Sequence, residues 1–243
     1  ANVFLGQVEA PLLIKPYLSS MTRHELLIIM TVGMSTIAGS VMVVYTTMLF
    51  PIYGSGLIGH FLSASLISVP AAIMYANMMI PSNEKTDFPD KKSDEMYSSI
   101  MDAITQGTKN GLDIFLNVIA MLIVVMALVF LVNSILGLLP NLNGNPITLE
   151  LMLGYLFAPL AWFMGIPWSE SIVAGQLLGV KTALNEFVAY LYLSDTETYQ
   201  LAEKSRMIML YALCGFANFS SVGILLSGLS AMVPERRADL ISV

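Results

Sequence analysis

Charged residues are scarce in this sequence, and their scarcity excludes most classes of soluble protein. Only 12% of the 243 residues are charged, whereas 56% are hydrophobic and the mean hydropathy is +0.74. An ordinary soluble domain has about 25% charged residues. Windows without charge, each about as long as the roughly 20 residues that a helix needs to cross hydrocarbon, occur at 26–50, 57–80, 114–139 and 207–233. The composition therefore predicts an all-α membrane protein with several spanning helices.

Cysteine and the common catalytic motifs are also nearly absent. Cys214 is the single cysteine, so one chain cannot build a disulfide framework or a thiolate metal site. The sequence has no basic patch for nucleic acid, no glycine-rich phosphate loop and no nucleophile beside a base. His24 and His60 have no third ligand near them in sequence, which favours structural roles. We therefore expect neither an enzyme nor a resident cofactor.

The start of the sequence is unlike that of a complete membrane protein. The chain begins at Ala1, without methionine and without a basic-then-apolar signal segment. We therefore expect a fragment of a longer chain, with helices missing upstream.

What the sequence does contain is a pattern that occurs twice. In its first occurrence, residues 1–80, the apolar stretch 1–17 is interrupted by proline and polar residues, which fits one arm of a re-entrant hairpin. The next window predicts a discontinuous helix, because its middle holds the small and hydroxyl residues Gly33, Ser35, Thr36, Gly39 and Ser40. A plain span is predicted at 57–80.

The second occurrence lies in residues 141–243. An apolar arm at 151–168 leads to a predicted polar tip at 169–171 and a return arm that holds Lys181, Asn185 and Glu186. The window 207–233 is then interrupted around Asn218 and Ser221. Packing by glycine and serine explains one such break, but two in matching places indicate inverted repeats with a substrate site at the membrane midplane.

Two further segments separate these occurrences. Residues 81–111 are polar, yet apolar residues recur there at helical spacing, which predicts a helix lying flat in the interface. Residues 112–140 contain the longest apolar window and predict a tilted scaffold helix. Eight basic residues are predicted to share the cytoplasmic face by the positive-inside tendency, namely Lys15, Arg23, Lys85, Lys91, Lys92, Lys109, Arg236 and Arg237.

Two carboxylates lie in the predicted hairpins. An ionised carboxylate at membrane depth costs roughly 2.5 kcal/mol or more, so Glu9 and Glu186 need compensating partners. Each is close to an amide side chain, and a carboxylate with an amide suits a neutral ligand rich in hydroxyl groups. Asn218 and Ser221, three residues apart, can add to the same cavity. Alternatively, each carboxylate pairs with Lys15 or Lys181 and braces its hairpin.

A second candidate site contains only neutral oxygens. Asn2, Thr36 and the carbonyls near Leu5 and Ile37 suit a small hard cation such as sodium, as in the broken helices of transporters. Ordinary polarity at a helix interface is the alternative. Among the aromatic residues, Phe216 is placed to contact a ligand ring, whereas Phe219 is expected in the core.

Five strings in order resemble the concentrative nucleoside transporter family: GQVEAPLLIKPYL at 6–18, STIAGSV at 35–41, FAPLAWFMGIPW at 157–168, NEFVAY at 185–190 and ALCGFANFSSVGI at 212–224. The resemblance implies a multi-pass protein of the cell (inner or plasma) membrane that imports nucleosides by alternating access, coupled to sodium. It also implies a homotrimer whose scaffold holds a mobile transport domain. A last helix, expected after Arg237, is absent from the sequence.

The resemblance assigns roles to individual residues. Gln7, Glu9 and Val41 match positions that contact the base; Glu186, Asn218 and Ser221 match those that hold the ribose, with Phe216 beside them. The sodium site matches Asn2, Leu5, Thr36 and Ile37. Val8 departs from the family, which commonly has a hydroxyl residue there. Three alternatives stay open, namely proton coupling through Glu9 or Glu186, a passive pore and an intramembrane enzyme.

Overall fold

A computed structural model describes residues 1–82, 98–140 and 146–243, and within these ranges the secondary structure is helical, without a strand. The predicted all-α fold is confirmed. The helices are α1 (Glu9–Leu12), α2 (Lys15–Leu18), α3 (Arg23–Ser35), α4 (Gly39–Tyr53), α5 (Leu57–Met79), α6 (Ile100–Leu136), α7 (Leu149–Phe163), α8 (Trp168–Ala183), α9 (Glu186–Ser194), α10 (Glu203–Ala212), α11 (Phe219–Met232) and α12 (Arg237–Ser242).

The described residues form two compact units. One contains those of Ala1–Thr86 and Glu150–Val243, and the other contains those of Asp87–Leu149. In the first unit, α5 packs against α3 and α4, and α9 packs against α4 and α8. Its end is held to its beginning, because Arg236 Nη1 donates to the carbonyls of Ser19 and Met21 at 2.8 and 2.7 Å.

The first predicted discontinuous helix is interrupted at residues 36–38. Its first half, α3, begins with a capping box in which Thr22 and Glu25 satisfy each other's backbone N–H. Thr36 and Ala38 have extended backbone, after which α4 restarts at Gly39. Glycine is favoured there because a Cβ would lie 3.1 Å from the carbonyl oxygen of Phe4, a tight contact. We call residues 36–38 the first break.

The second hairpin has its tip earlier in the sequence than predicted. Helices α7 and α8 meet at a bend of 118°, and the turn between them contains Gly165 with a φ of +96°. Ser169–Ser171, predicted as the tip, lie in the first turn of α8, because Pro167 starts that helix and its carbonyl accepts from Glu170 N at 2.9 Å. Glu186 likewise starts α9 and is not part of the return arm.

The second discontinuous helix is interrupted at residues 213–218, which we call the second break. Helix α10 ends at Ala212 and α11 begins at Phe219. Between them, Gly215 has a φ of +142°, and its Cα faces the carbonyls of Met34 and Ser35. The two breaks therefore lie against each other.

Helix α6 runs unbroken for 37 residues in the second unit. The sequence instead predicts a boundary near residue 112, between an interfacial helix and a scaffold helix. Gly107 and Gly111 do not end the helix, since a glycine in a helix interior costs only about 1 kcal/mol relative to alanine. Part of the predicted interfacial helix, with Met96, Tyr97 and the basic residues Lys85, Lys91 and Lys92, lies outside the described residues.

Helices long and apolar enough to cross a membrane are present in the described part of the chain. Two helical segments are long enough, namely Leu57–Met79 and Arg23–Tyr53, the latter taken across the first break. The bent pair of α7 and α8 gives a third if it is counted as one span. Phe219–Met232 is a shorter apolar helix, and Met126–Leu136 is the apolar last part of α6. These lengths fit a membrane protein in which some helices are interrupted.

Candidate functional site

Glu186 lies buried at the start of α9, with 5% of its surface exposed. The helix begins there because Asn185 is its N-cap, and Asn185 Oδ1 accepts from Val188 N at 2.9 Å. The sequence predicts that the side-chain amide of Asn185 is available to a ligand. Its carbonyl oxygen is instead used to cap the helix, so the function of Asn185 is to place Glu186.

Both carboxylate oxygens of Glu186 accept hydrogen bonds from neutral donors. Tyr45 donates its hydroxyl to Oε1 at 2.9 Å, and Asn218 donates its side-chain amide to Oε2 at 2.9 Å. The three residues come from three helices, α4, α9 and the start of α11. Sequence reasoning found Glu186 and Asn218 but missed Tyr45. Its one signal in the sequence is a position four residues after Val41, hence on the same helix face.

Asn218 links the carboxylate to the first hairpin. It is the N-cap of α11, and its Oδ1 accepts from Ser221 N at 2.8 Å. The carbonyl of Ser221 in turn accepts from Gln7 Nε2 at 3.4 Å. A chain of hydrogen bonds therefore runs from Gln7 through Ser221 and Asn218 to Glu186, and joins the segment before α1 to the starts of α11 and α9.

Gln7 has an unused acceptor at the end of this chain. Its side chain is 7% exposed, and its Oε1 is buried without a hydrogen-bond partner among the described residues. A buried acceptor without a partner costs about 1–3 kcal/mol. The site therefore favours a ligand that donates a hydrogen bond at this point.

The other predicted substrate residues differ in burial and in their contacts with this chain of hydrogen bonds. Val41 is half-buried on α4, and Phe216 is half-buried in the second break, where its carbonyl accepts from Asn218 N at 2.9 Å. Glu9 is exposed, and its carboxylate lies against Gly6. Among the described residues it makes no hydrogen bond to Gln7, Ser221, Asn218 or Glu186. Phe219 is 73% exposed in this structure, so the expectation that it packs in the core is wrong for the described residues.

The bracing alternative requires each carboxylate to form an ion pair with a lysine, and neither does so within the described residues. The ion pairs there join Asp239 to Arg23 and to Arg236, and neither Glu9 nor Glu186 takes part in one. Lys181 is buried, and its ammonium donates to the carbonyl of Ala212 at 2.9 Å, at the end of α10. A cation near a helix C-terminus is favoured by the helix dipole, so Lys181 has a structural partner of its own.

Two of the predicted ion-site residues, Asn2 and Thr36, are in contact. Asn2 Nδ2 donates to Thr36 Oγ1 at 2.6 Å, and Thr36 Oγ1 lies 3.1 Å from the Asn2 carbonyl, to which it donates. Leu5 and Ile37 flank this pair in sequence, and their carbonyl oxygens accept no hydrogen bond from the described residues. The described residues contain no group of three His, Cys, Asp or Glu side chains placed to hold a metal ion. The cluster therefore offers neutral oxygens.

The two clusters are connected through the breaks. Phe216 N donates to the carbonyl of Thr36 at 3.3 Å, so the second break, which leads to Asn218, contacts the first. A separate surface cavity of about 840 Å³ lies against α5 and α10 and is lined by Ser68, Met207 and Tyr211, among others. It contains none of the residues of the hydrogen-bonded chain.

Comparison with known sequences decides the family. The family described as Na+ dependent nucleoside transporter C-terminus matches residues 60–243. The chain belongs to the Na+ dependent nucleoside transporter family. The resemblance to concentrative nucleoside transporters is thereby confirmed, and this family consists of transporters, not enzymes.

Curated relatives of this transporter family extend over almost the whole chain. The chain is 42% identical to an uncharacterized transporter, YutK, of Bacillus subtilis, over 99% of this chain and 59% of that protein. Nucleoside permease NupC of Helicobacter pylori is 40% identical over 99% of this chain and 57% of the permease. Human solute carrier family 28 member 3 is 37% identical over 99% of this chain and 37% of the carrier. The chain thus spans less than two thirds of each relative.

Solved transporter structures have the same fold. An inward-facing, substrate-bound structure of CNTnw superposes with a TM-score of 0.85 at 38% identity, and covers 99% of this chain and 56% of that one. An outward-facing structure of a CNTnw variant superposes with a TM-score of 0.83 at 36% identity, over 99% of this chain and 56% of that one. The chain is therefore part of an all-α membrane transporter, built with the discontinuous helices that the sequence predicts.

Proposed function

We propose that the protein to which this chain belongs is a secondary active transporter that imports nucleosides by alternating access, coupled to sodium. The observation that carries this proposal is the buried carboxylate of Glu186, which is held by two neutral donors and forms no ion pair among the described residues. Such a carboxylate is available to a neutral ligand with hydroxyl groups. The family supports the same substrate class, since its description names nucleosides and sodium.

The sugar is proposed to bind at Glu186, with Asn218, Ser221 and Phe216 around it. A carboxylate has about four lone-pair sites, of which Tyr45 and Asn218 occupy two. The adjacent 2′ and 3′ hydroxyls of a ribose can donate to the remaining two. Hydrogen bonds to a charged group contribute about 1.5–3 kcal/mol each, and so offset part of the cost of burying the charge.

The base is proposed to bind on the side of the first hairpin. Gln7 has a buried acceptor oxygen without a partner in the described residues, and an N–H on the edge of a nucleobase can satisfy it. Val41 offers apolar contact from α4, and Glu9 is a further acceptor near by in sequence. Val8 lies close to Gly228 of α11, where a Cβ would lie 2.6 Å from Val8 Cγ1, so its side chain is used in packing.

Sodium is proposed to bind at Asn2, Leu5, Thr36 and Ile37. The hydroxyl of Thr36 and the backbone carbonyls of Asn2, Leu5 and Ile37 are neutral oxygens, which are suitable ligands for a hard cation. The ion would neutralise the partial negative charge of the carbonyls at the first break. Because the Thr36 carbonyl also accepts from Phe216 N, an ion there would be linked through Thr36 to the segment that leads to Asn218.

Assembly and membrane placement complete the proposal. We place the protein in the cell (inner or plasma) membrane as a multi-pass homotrimer, with α6 in the scaffold and the unit that contains both breaks as the mobile transport domain. Solved relatives in inward-facing and outward-facing states support an alternating-access mechanism for this family.

The test uses the full-length protein, reconstituted in liposomes with a sodium gradient and supplied with labelled uridine, cytidine, adenosine or inosine. We expect accumulation of at least one nucleoside above its external concentration, and loss of accumulation when the gradient is collapsed. Equilibration without accumulation would indicate a passive pore. Equal uptake with and without sodium, combined with loss of uptake as the pH rises, would indicate proton coupling.

A further inference from the structure

Tyr45 connects the first discontinuous helix to the carboxylate of Glu186. It lies on α4, seven residues after the first break ends at Ala38, and its hydroxyl donates to Glu186 Oε1 at 2.9 Å. The two residues are 141 positions apart in sequence. Its side chain is 1% exposed, so water does not compete for this hydrogen bond.

An aromatic cluster fixes the ring of Tyr45. Its centroid lies 4.7 Å from that of Tyr190, 6.2 Å from that of Phe61 and 6.3 Å from that of Phe187. These distances fall in the range in which aromatic pairs attract each other. Because the ring of Tyr45 is packed on several sides, its hydroxyl cannot shift with the Glu186 side chain. The fold therefore sets the position of the hydroxyl.

The consequence for Glu186 is geometric. Tyr45 and Asn218 donate to different oxygens of the same carboxylate, and two donors on two oxygens fix the plane of the group. The lone pairs that remain then point in defined directions. Loss of the Tyr45 hydroxyl would free one oxygen and let the carboxylate rotate, at a site where a small misplacement weakens recognition.

We propose that Tyr45 is a positioning residue for sugar recognition, which acts by orienting the Glu186 carboxylate toward the 2′ and 3′ hydroxyls of the substrate. The inference rests on the proposed function, because it requires a ribose at Glu186. It adds a residue from the first discontinuous helix to a sugar site that is otherwise built from the second half of the sequence.

Tyr190 supplies a matched control. It belongs to the same aromatic cluster and is fully buried, but its hydroxyl donates to the carbonyl of Leu210 at 2.8 Å. Tyr190→Phe therefore removes a buried hydroxyl of the same kind next to Tyr45 and leaves the donors to Glu186 in place. An effect of packing or folding appears in both variants, whereas an effect on the sugar appears only in Tyr45→Phe.

The experiment measures the affinity of the purified full-length protein for uridine and for 2′,3′-dideoxyuridine, in the presence of sodium. The same comparison is made with adenosine and 2′,3′-dideoxyadenosine. For Tyr45→Phe we expect a loss of ribonucleoside affinity of roughly threefold to thirtyfold, which is less than the loss of a direct hydrogen bond to a charged group because Tyr45 acts through Glu186. The dideoxynucleoside should lose less than about twofold, since it makes no hydrogen bonds to the carboxylate through these hydroxyls. Tyr190→Phe should leave the ratio of the two affinities unchanged.

The outcomes separate the two proposals. If the wild-type protein binds neither ribonucleoside, the proposed function fails, and the inference with it. If the wild-type protein binds a ribonucleoside, but Tyr45→Phe leaves the ratio of ribonucleoside affinity to dideoxynucleoside affinity unchanged, the inference alone is overturned. Should Tyr45→Phe not accumulate in the membrane, site-specific 4-fluorophenylalanine at position 45 keeps the ring and nearly the size of the hydroxyl and removes the hydrogen-bond donor. The ratio should again fall, and an unchanged ratio would overturn the inference.

Discussion

Phe216 donates its backbone N–H to the carbonyl of Thr36 at 3.3 Å, and this contact joins the breaks of two discontinuous helices. The residues on either side belong to different proposed sites, since Thr36 lies in the ion cluster and Asn218, two residues after Phe216, contacts Glu186. A change at one break therefore reaches the other through one hydrogen bond. The close approach of the two backbones depends on glycine at position 215.

Gly215→Ala should destabilise the protein and impair transport. Gly215 has a φ of +142°, and a Cβ there would lie 3.0 Å from the carbonyl oxygen of Ser35. Such a conformation costs a residue other than glycine about 1–3 kcal/mol. We expect a lower midpoint temperature of unfolding for the full-length protein in detergent, and a lower uptake rate. Gly223→Ala is the control, because a Cβ there meets no atom within 4 Å. Equal midpoints for both variants would show that the close approach is not required.

Thr36→Val should raise the sodium concentration needed for half-maximal uptake. Valine keeps the shape of threonine and removes the hydroxyl that lies against Asn2. The loss of one neutral oxygen should raise that concentration roughly fivefold, equivalent to about 1 kcal/mol. The measurement is the initial rate of nucleoside uptake over a range of sodium concentrations.

Thr31→Val is the control for the sodium experiment. Thr31 lies on the same helix, and its hydroxyl donates to the carbonyl of Leu27 at 2.8 Å within that helix. Its sodium dependence should match that of the wild type. If Thr36→Val also keeps the wild-type dependence, the cluster at the first break is not the ion site, and its polarity is structural.

Helix α6 should face neighbouring subunits along one side. Leu128, Leu131 and Ile135 are exposed and share one helix face, while Met126 and Phe130 are exposed on the opposite face. Single cysteines at these positions, in a Cys214→Ala background, should cross-link into dimers and trimers from one face and not from the other. Monomers alone from both faces would remove α6 from a trimer interface.

The sequence predicted those features of the fold that arise from local chemistry. Small and hydroxyl residues around Thr36 and Asn218 indicated the two breaks, because such residues weaken a helix locally and permit close backbone contact. The tip of the second hairpin was misplaced because the polar run at 169–171 was preferred over Gly165 and Pro167. Those two residues carry the turn signals that the structure uses.

Features that depend on distant contacts were not predictable from one sequence. Tyr45 is an aromatic residue on an apolar helix, a pattern that indicates packing, and its partner Glu186 lies 141 residues away. Asn185 was interpreted as a ligand group because its neighbour is a carboxylate, whereas its role as an N-cap depends on where α9 begins. The unbroken course of α6 shows that glycine alone does not end a long helix.

The role of Glu186 is tested most directly by Glu186→Gln. Glutamine keeps the shape of the side chain, and its two ends fit the existing partners. Its oxygen can accept from Asn218, and its amide can donate to the hydroxyl of Tyr45, which is also an acceptor. The variant should therefore fold normally, while one of the acceptor oxygens proposed to face the sugar becomes a donor.

The measurement is the affinity of the full-length wild-type and Glu186→Gln proteins for a ribonucleoside and for its 2′,3′-dideoxy analogue, at equal protein abundance in the membrane. Loss of a hydrogen bond to a charged group costs about 1.5–3 kcal/mol, so we expect the ribonucleoside to bind about tenfold to a hundredfold more weakly. The dideoxy analogue should bind the wild type more weakly than the ribonucleoside, because it lacks both hydroxyls, and its affinity should change little in the variant. Equal losses for both ligands would contradict a sugar-binding role and make Glu186 a structural residue.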